Sequence, residues 1–421
     1  MSVPSPTPEQ LAWQRMRLGM FLHFGVNTFF GAEWSDGTLP AEAFDPKELD
    51  ADQWADVAAS MGARYAVLTA KHHDGFCLWP TATTEYSVAS SPWRDGRGDV
   101  VGEFVSAFRR RGIAVGLYLS PWDRNAACYE DAAAYDDFYC TQLEELCTRY
   151  GDLVELWFDG AGSDGREYDW DRIMAVVREH QPGAMVFNMG SPTIRWVGNE
   201  DGMACDPVEY VTDLLDLNNY GDVTMGQGAG RYLPPECDVS LRRGWFWAEE
   251  DQPKSLNHLL GIHYRSIGMG AGLLLNVPPD RRGLIPEEDV ARLREWRDEL
   301  DSRFGHPVEA RLERDGKGWR AVFPEATRLD HVALEEDYSD GQRITRHRVL
   351  LDGRLLAEGL TVGEHRLHAF APAEVTELAV EVEGDEPRLA RVLGFDTGGR
   401  GAPDLEYIAP TVEPESISRP D

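Results

Sequence analysis

Apolar runs alternate with amphipathic segments along about the first 300 residues of the chain. Runs such as 18–25 (LGMFLHFG) and 114–120 (AVGLYLS) have the length of buried strands. Between such runs, apolar residues recur at helical spacing, as they do from the N-cap residue Asp50 to the helix-ending Gly62. The pattern therefore predicts strands and helices in regular alternation.

Such an alternation, with nearly continuous apolar strands, indicates a parallel sheet covered by helices on its outer face. The further predicted strands are 65–70, 153–158, 184–188, 195–199, 244–248 and 272–277. About eight strands within about 290 residues favour a closed barrel over an open sheet. We expect an α/β fold in which residues 1–303 form a (β/α)8-like (TIM) barrel.

The pattern changes after Phe304, where short strands alternate apolar and polar residues. Leu378, Val380 and Val382, for example, alternate with residues that include Glu381 and Glu383, and Asp352-Gly353 is typical of a tight turn. We expect a small C-terminal β-sandwich over 304–401. The remaining residues, 402–421, are rich in Pro, Glu and Ser and are expected to form a loose or draped tail.

Charge and composition narrow the possible partners. The chain has 41 Lys and Arg against 73 Asp and Glu, a formal net charge of −32, which argues against nucleic acid and anionic membranes. No apolar run reaches the length of about 18 residues expected of a membrane span. The N-terminus does not resemble a secretory signal, and the 6 cysteines form no C-x-x-C pair. We expect a cytoplasmic protein with reduced thiols.

Polar residues follow four consecutive predicted strands at the point where each strand ends. His23 follows the first strand, His72-His73 the second, Trp122 the third and Asp159 the fourth. The carboxyl ends of barrel strands form the rim on which barrel enzymes build their active sites. The sequence therefore predicts an active site on this rim.

Two carboxylates are the minimal apparatus for cleaving a glycosidic bond. Asp159, in ELWFDGAG, lies at a strand end before a glycine, which suits a positioned nucleophile, although an aspartate that caps the next loop would have the same pattern. Glu200, in IRWVGNEDG, is a second candidate. From the residues alone, Asp206, Glu209 and Glu236 remain alternative partners for Asp159.

The His72-His73 pair has three interpretations. A single metal ion would rarely bind both, because adjacent strand residues point to opposite faces. Contact with a polyhydroxylated ligand and purely structural hydrogen bonding remain open beside metal binding. Rings such as Trp34, Trp122, Trp157 and Trp245 could pack against sugar C–H faces. No dinucleotide, P-loop or zinc-protease motif is present. A glycosidic cleavage completed by two carboxylates would need no metal and no organic cofactor.

Taken together, the motifs resemble the retaining α-L-fucosidases of glycoside hydrolase family 29. The segments are MFLHFGVNTF (20–29), LTAKHHDGFCLW (68–79), GLYLSPWDRN (116–125), ELWFDGAG (155–162), IRWVGNEDG (194–202), PPECDVSLRRGWFW (234–247) and LLLNVPPDRRGLI (273–285). This ordered series covers nearly the whole predicted barrel. The segment HVALEEDYSDGQRI (331–344) is similar to the β-sandwich that these enzymes carry.

The resemblance implies roles for particular residues. Asp159 matches the nucleophile of the W-x-D motif, and Glu200 matches the acid/base of the G-N-E-x-G segment. The other implied contacts are fucose hydroxyls for His23, His72 and His73, the C6 methyl for Trp245, and nearby positions for Glu33, Trp34, Tyr118, Trp157 and Glu236.

The forms WFDGA and RWVGNE resemble the subgroup that prefers α-1,3/1,4-linked fucose. The expected activity is release of fucose, with retention, from a fucosylated oligosaccharide or glycoconjugate, and two carboxylates complete that reaction without a cofactor. The alternatives are a metal-dependent barrel isomerase or hydrolase that uses His72 and His73, and a non-catalytic carbohydrate-binding protein.

Overall fold

An eight-stranded parallel sheet dominates the computed structural model, which describes residues 4–163, 165–212, 230–316, 318–403 and 416–417. Its strands are β1 (Leu18–Leu22), β2 (Tyr65–Lys71), β3 (Ala114–Leu119), β4 (Glu155–Trp157), β5 (Met185–Phe187), β6 (Arg195–Trp196), β7 (Pro235–Ser240) and β8 (Gly272–Asn276). Their spatial order is β5-β4-β3-β2-β1-β8-β7-β6. A bridge between Phe187 and Ile194 joins the two ends, so the sheet is a nearly closed barrel.

Helices pack around this sheet, and their capping follows the sequence pattern. They are α1 (Pro8–Gln14), α2 (Val26–Phe30), α3 (Ala51–Met61), α4 (Val100–Arg110), α5 (Ala132–Arg149), α6 (Trp170–His180), α7 (Leu256–Arg265) and α8 (Glu287–Phe304). Asp50 caps α3 by accepting the N–H groups of Asp52 and Gln53, and Gly62 ends it at φ 89°. None of the helices among the described residues is long and apolar enough to cross a membrane.

The predicted barrel is confirmed, but one predicted strand is wrong. Residues 244–248 form no strand, and the strand after β6 is β7, Pro235–Ser240. Its sequence, PECDVS, has no apolar run because Glu236, Asp238 and Ser240 are buried polar residues at alternate positions. A barrel strand with a polar inner face does not have the hydrophobic pattern by which buried strands are recognised.

The C-terminal region is antiparallel β-structure, as expected. Its strands are β9 (Val308–Glu309), β10 (Arg311–Asp315), β11 (Gly318–Glu336), β12 (Ile344–Leu351), β13 (Arg354–Gly359), β14 (Arg366–Gly384) and β15 (Leu389–Phe395). Leu378, Val380 and Val382 are buried, while Ala379, Glu381 and Glu383 are exposed. Asp352 and Gly353 both have positive φ and form the β12–β13 turn.

Ion pairs connect the C-terminal region to the barrel. Arg17, just before β1, pairs with Glu335 and Glu364, and Arg366 pairs with Asp206. The division at residues 303 and 304 stays a prediction, although α8 ends and β9 begins close to it. Most of the predicted tail lies outside the described residues. Its Ser416–Ile417 segment pairs in parallel with Trp34–Ser35.

Candidate active site

The carboxyl ends of the first strands bring the predicted histidines together. The His23 and His72 ring centroids are 5.5 Å apart, and those of His72 and His73 are 4.1 Å apart. His72 also stacks on the Tyr118 ring of β3 at 5.6 Å. All four side chains are buried. The strand-end residues therefore form one cluster on the rim of the barrel.

Asp159 lies next to this cluster, two residues beyond the end of β4. Its Oδ1 accepts the backbone N–H of Ala161 at 2.8 Å, and its Oδ2 accepts the Tyr118 hydroxyl at 3.2 Å. The same Oδ2 lies 3.6 Å from His73 Nε2. Burial raises the pKa of Asp159, and the two hydrogen bonds oppose that rise because they stabilise the carboxylate.

Glu200 is the second carboxyl of the cluster. Desolvation, and after it the charge of Asp159, raises the pKa of Glu200 to about 7, whereas the indole N–H of Trp245 lowers it. Glu200 is nonetheless an exposed residue. At neutral pH, Glu200 can therefore be protonated next to Asp159, whose carboxylate form is stabilised by the hydrogen bonds from Ala161 and Tyr118.

The protonation of two histidines follows from their hydrogen bonds. His23 Nδ1 lies 2.9 Å from Asn276 Oδ1, and the Asn276 amide nitrogen donates elsewhere, so His23 Nδ1 carries the proton. The Ser120 hydroxyl donates to a carbonyl, so it accepts from His73 Nδ1 at 2.7 Å. Burial lowers the pKa of both histidines to about 3. Each therefore keeps an unprotonated Nε2 that can accept a hydroxyl proton.

Glu33 connects the first rim loop to the segment that follows β7. Its carboxyl oxygens accept the backbone N–H of Trp245 at 2.9 and 3.2 Å. Burial raises the pKa of Glu33 to about 8, and the charge of Glu200 adds to the rise. Glu33 therefore fixes the position of the Trp245 ring, whose centroid lies 5.0 Å from that of His23.

Aromatic rings surround the cluster, both at the mouth of the site and in the barrel interior below it. Trp34 makes edge contacts of 5.5 Å with both His73 and Trp122 at the mouth. Trp157 points into the barrel and stacks on Phe187 at 3.9 Å. The mouth therefore presents half-buried rings, and the floor is a packed aromatic layer.

Glu236 lies below the other predicted site residues. It is fully buried, and its carboxyl accepts the Tyr65 hydroxyl and the indole N–H of Trp157. Its predicted place near the substrate stays a prediction.

Sequence reasoning missed Asn276 and Ser120, which fix the two histidine tautomers. Asn276 ends β8 in LLLN, so the strand-end rule that selected His23 could have found it. Ser120 follows β3 in the same way.

A metal ion bound by His72 and His73 would need at least one further ligand. Within the described parts of the chain, no three His, Cys, Asp or Glu side chains are placed to hold a metal ion. His72 and His73 instead face rings and hydroxyl groups.

Two carboxyls, neutral histidines and half-buried aromatic rings on the rim of a (β/α) barrel are typical of a glycoside hydrolase. The family model described as alpha-L-fucosidase matches residues 38–300. Alpha-L-fucosidase 1 of Arabidopsis thaliana is 44% identical over 313 residues, which are 72% of this chain and 62% of that protein. The chain belongs to the alpha-L-fucosidase family, and its activity is that of an alpha-L-fucosidase.

Solved structures show the same fold. A glycoside hydrolase 29 family member from an unknown rumen bacterium has a TM-score of 0.86 and 33% identity, covering 97% of this chain and 79% of its own. A Ruminococcus gnavus GH29 fucosidase in complex with fucose has a TM-score of 0.81 and 27% identity, covering 93% and 94%.

Proposed function

We propose that this alpha-L-fucosidase works by double displacement with net retention, with Asp159 as nucleophile and Glu200 as acid/base. The observation that carries the proposal is that Glu200 lies close enough to Asp159 to be affected by its charge: desolvation, and after it the charge of Asp159, raises the pKa of Glu200 to about 7. Two neighbouring carboxyls with separated pKa values can divide the acid and nucleophile roles between them.

In the first step, Asp159 attacks the anomeric carbon of fucose while Glu200 gives its proton to the departing glycosidic oxygen. A covalent fucosyl–Asp159 ester and the free aglycone result. In the second step, ionised Glu200 takes a proton from water, the water oxygen bonds to the anomeric carbon, and the Asp159 carboxylate leaves. Glu200 then holds its original proton again, and no cofactor is consumed.

The neutral histidines suit recognition of a neutral sugar. His23 and His73 each offer an unprotonated Nε2, and His72 Nδ1 is buried without a hydrogen-bond partner in the structure. Hydroxyl groups can both donate to such nitrogens and accept from their N–H groups. We assign fucose hydroxyls to these three histidines and the fucose methyl to Trp245.

The finer proposal concerns linkage. The half-buried Trp34 and Trp122 rings next to His73 provide an apolar surface for a second sugar, and the Arg124 guanidinium lies 5.0 Å from the Trp122 ring. A branched aglycone places a further sugar ring against such a surface. Together with the sequence resemblance, this favours α-1,3/1,4-linked fucose.

Product analysis tests both the retaining mechanism and the linkage preference. Wild type should release fucose from Lewis-type trisaccharides faster than from 2′-fucosylated glycans, and the first-formed anomer should be α. Asp159→Asn should lose activity on the order of 10⁴-fold or more. Exposed Asp171→Asn on α6 is the matched control and should behave as wild type. A β anomer as first product, or an active Asp159→Asn, would reject the mechanism. Faster cleavage of 2′-fucosylated glycans would reject only the linkage.

A further inference from the structure

Two carboxyl groups occupy the barrel interior below the candidate site. Glu155 on β4 and Glu236 on β7 are both 0% exposed. Barrel interiors are normally filled with branched apolar side chains. Since β4 and β7 are not neighbours in the sheet, the two side chains meet across the interior, close enough for one carboxyl to donate a hydrogen bond to the other when it holds a proton. Burying two carboxyl groups in an apolar interior costs free energy, so their presence suggests that they have a function.

The surrounding donors leave one oxygen unmatched. Trp13 donates its indole N–H to Glu155 Oε2 at 3.1 Å. Trp157 donates to Glu236 Oε1 at 3.1 Å, and the Tyr65 hydroxyl donates to Glu236 Oε2. Glu155 Oε1, however, has no donor among the described residues. A proton shared between the two carboxyls would satisfy it.

The environment indicates which carboxyl holds that proton. Burial raises the pKa of Glu155 well above its ordinary value, and the nearby charge of Glu236 adds to the rise. Burial also raises the pKa of Glu236, but the hydrogen bonds from Tyr65, Trp157 and Glu155 oppose that rise. The other titratable groups that face the pair are Tyr65, Cys237 and Asp238, and burial raises the pKa of each in favour of its neutral form.

We propose that Glu155 and Glu236 share one proton and act as a positioning pair for the candidate site. Protonated Glu155 donates to the Glu236 carboxylate, and that carboxylate accepts the indole N–H of Trp157. Trp157 is the last residue of β4 and lies two residues before Asp159 in the chain. The effect on kcat rests on the proposed function of Asp159, whereas the shared proton does not.

The path from the pair to Asp159 is short. The Trp157 ring lies 5.5 Å from the Tyr118 ring, and Tyr118 donates its hydroxyl to Asp159 Oδ2. Phe21 packs against Trp157 at 5.2 Å from the β1 side. Because these rings are closely packed, a displacement of the Trp157 indole would also move the Tyr118 ring. That movement would change the hydrogen bond from the Tyr118 hydroxyl to Asp159.

Infrared spectroscopy of the full chain without substrate tests the shared proton. At neutral pH, the wild type minus Glu155→Gln difference spectrum should contain a protonated carboxyl C=O band. Subtracting the spectra removes the bands that other protonated carboxyls contribute to both proteins. Absence of the band would mean that Glu155 is ionised, which overturns the proposal even if the enzyme releases fucose as proposed.

Kinetics test the positioning role. A glutamine at 155 can donate to Glu236 as the protonated acid does, whereas a methionine of similar size cannot. Glu155→Gln should therefore keep kcat within about twofold, and Glu155→Met should lose at least about tenfold in kcat with little change in KM. Glu236→Gln should also lose kcat, because its single amide oxygen cannot accept at both positions where Trp157 and Tyr65 donate.

Equal kcat values for Glu155→Gln and Glu155→Met would overturn the positioning role. If Glu155→Met does not fold, as judged by circular dichroism, Glu236→Gln and the infrared spectrum decide. A wild type that releases no fucose from any substrate would refute the proposed function but leave the infrared result valid.

Discussion

The indole N–H of Trp245 donates a hydrogen bond to Glu200 Oε2 over 3.3 Å. This contact stabilises the carboxylate form of Glu200 and so lowers its pKa, against the rise that desolvation and Asp159 cause. Trp245 therefore has a second role besides its proposed contact with the sugar methyl, because it adjusts the acid strength of the proposed acid/base.

The pH profile of Trp245→Phe should reveal this adjustment. Glu200 must be protonated in the free enzyme, so kcat/KM should fall as the pH rises through about 7. Without the indole N–H, the carboxylate loses stabilisation and its pKa rises, so the alkaline limb should move to higher pH. The shift should be less than about one pH unit, because a hydrogen bond contributes about 0.5–1.5 kcal/mol.

Trp247→Phe is the matched control for that experiment. Trp247 is also half-buried, lies two residues further along, and its indole nitrogen has no hydrogen-bond partner in the structure. Its alkaline limb should stay where the wild-type limb is. A Trp245→Phe limb that stays in place, or moves to lower pH, would show that Glu200 does not control the profile in this way.

A buried ion pair supports the rim loops that carry His72, His73 and Trp122. Lys71 Nζ lies 2.9 Å from Asp123 Oδ2, and the side chains are 0% and 2% exposed. Lys71→Met leaves a buried carboxylate without its cation, so the free energy of unfolding should fall by about 3–5 kcal/mol. Denaturant unfolding measures this loss.

Two further variants serve as controls for the ion-pair prediction. The double variant Lys71→Met/Asp123→Asn should recover part of the stability, because it removes both charges. Arg97→Ala breaks a pair whose side chains are 80% and 85% exposed, so it should change stability by less than about 1 kcal/mol. Equal losses for Lys71→Met and Arg97→Ala would contradict the structural role of the buried pair.

Most of the barrel could be predicted because its strands are apolar runs with capped helices between them. β7 could not, since Glu236, Asp238 and Ser240 on its inner face remove the hydrophobic signal. Glu155 lies in a correctly predicted strand, yet its partner Glu236 is 81 positions away (236 − 155), and no local pattern links the two. Long-range pairs of this kind are set by barrel closure, which the sequence pattern does not encode.

The candidate site, too, could be predicted only in part from the sequence. The strand-end rule selects His23, His72, His73 and Asp159, and the structure brings them together. The sequence cannot indicate histidine tautomers or a pKa near 7 for Glu200, because both depend on neighbours from distant segments. Local pattern therefore identifies the groups, and packing determines their protonation.

Gly162 shows how packing at the mouth can be tested separately from the chemistry. Its φ is +69°, and a Cβ atom there would lie 1.9 Å from Cε3 of the Trp122 ring. Gly162→Ala should therefore displace Trp122 from the proposed second-sugar surface. KM for a branched fucosylated oligosaccharide should rise by up to about tenfold, since an aromatic contact contributes about 0.5–1.5 kcal/mol. KM for a small aryl fucoside should change much less.

Gly165→Ala separates this displacement from backbone strain. Gly165 has nearly the same φ, +72°, but no atom lies within 4 Å of the position that its Cβ would take. Both alanine variants carry the cost of a left-handed backbone, and only Gly162→Ala also meets Trp122. Steady-state kinetics on the two substrates should therefore distinguish the variants. If Gly165→Ala raises KM for the oligosaccharide as much as Gly162→Ala does, loop strain explains the effect and Trp122 does not contact the second sugar.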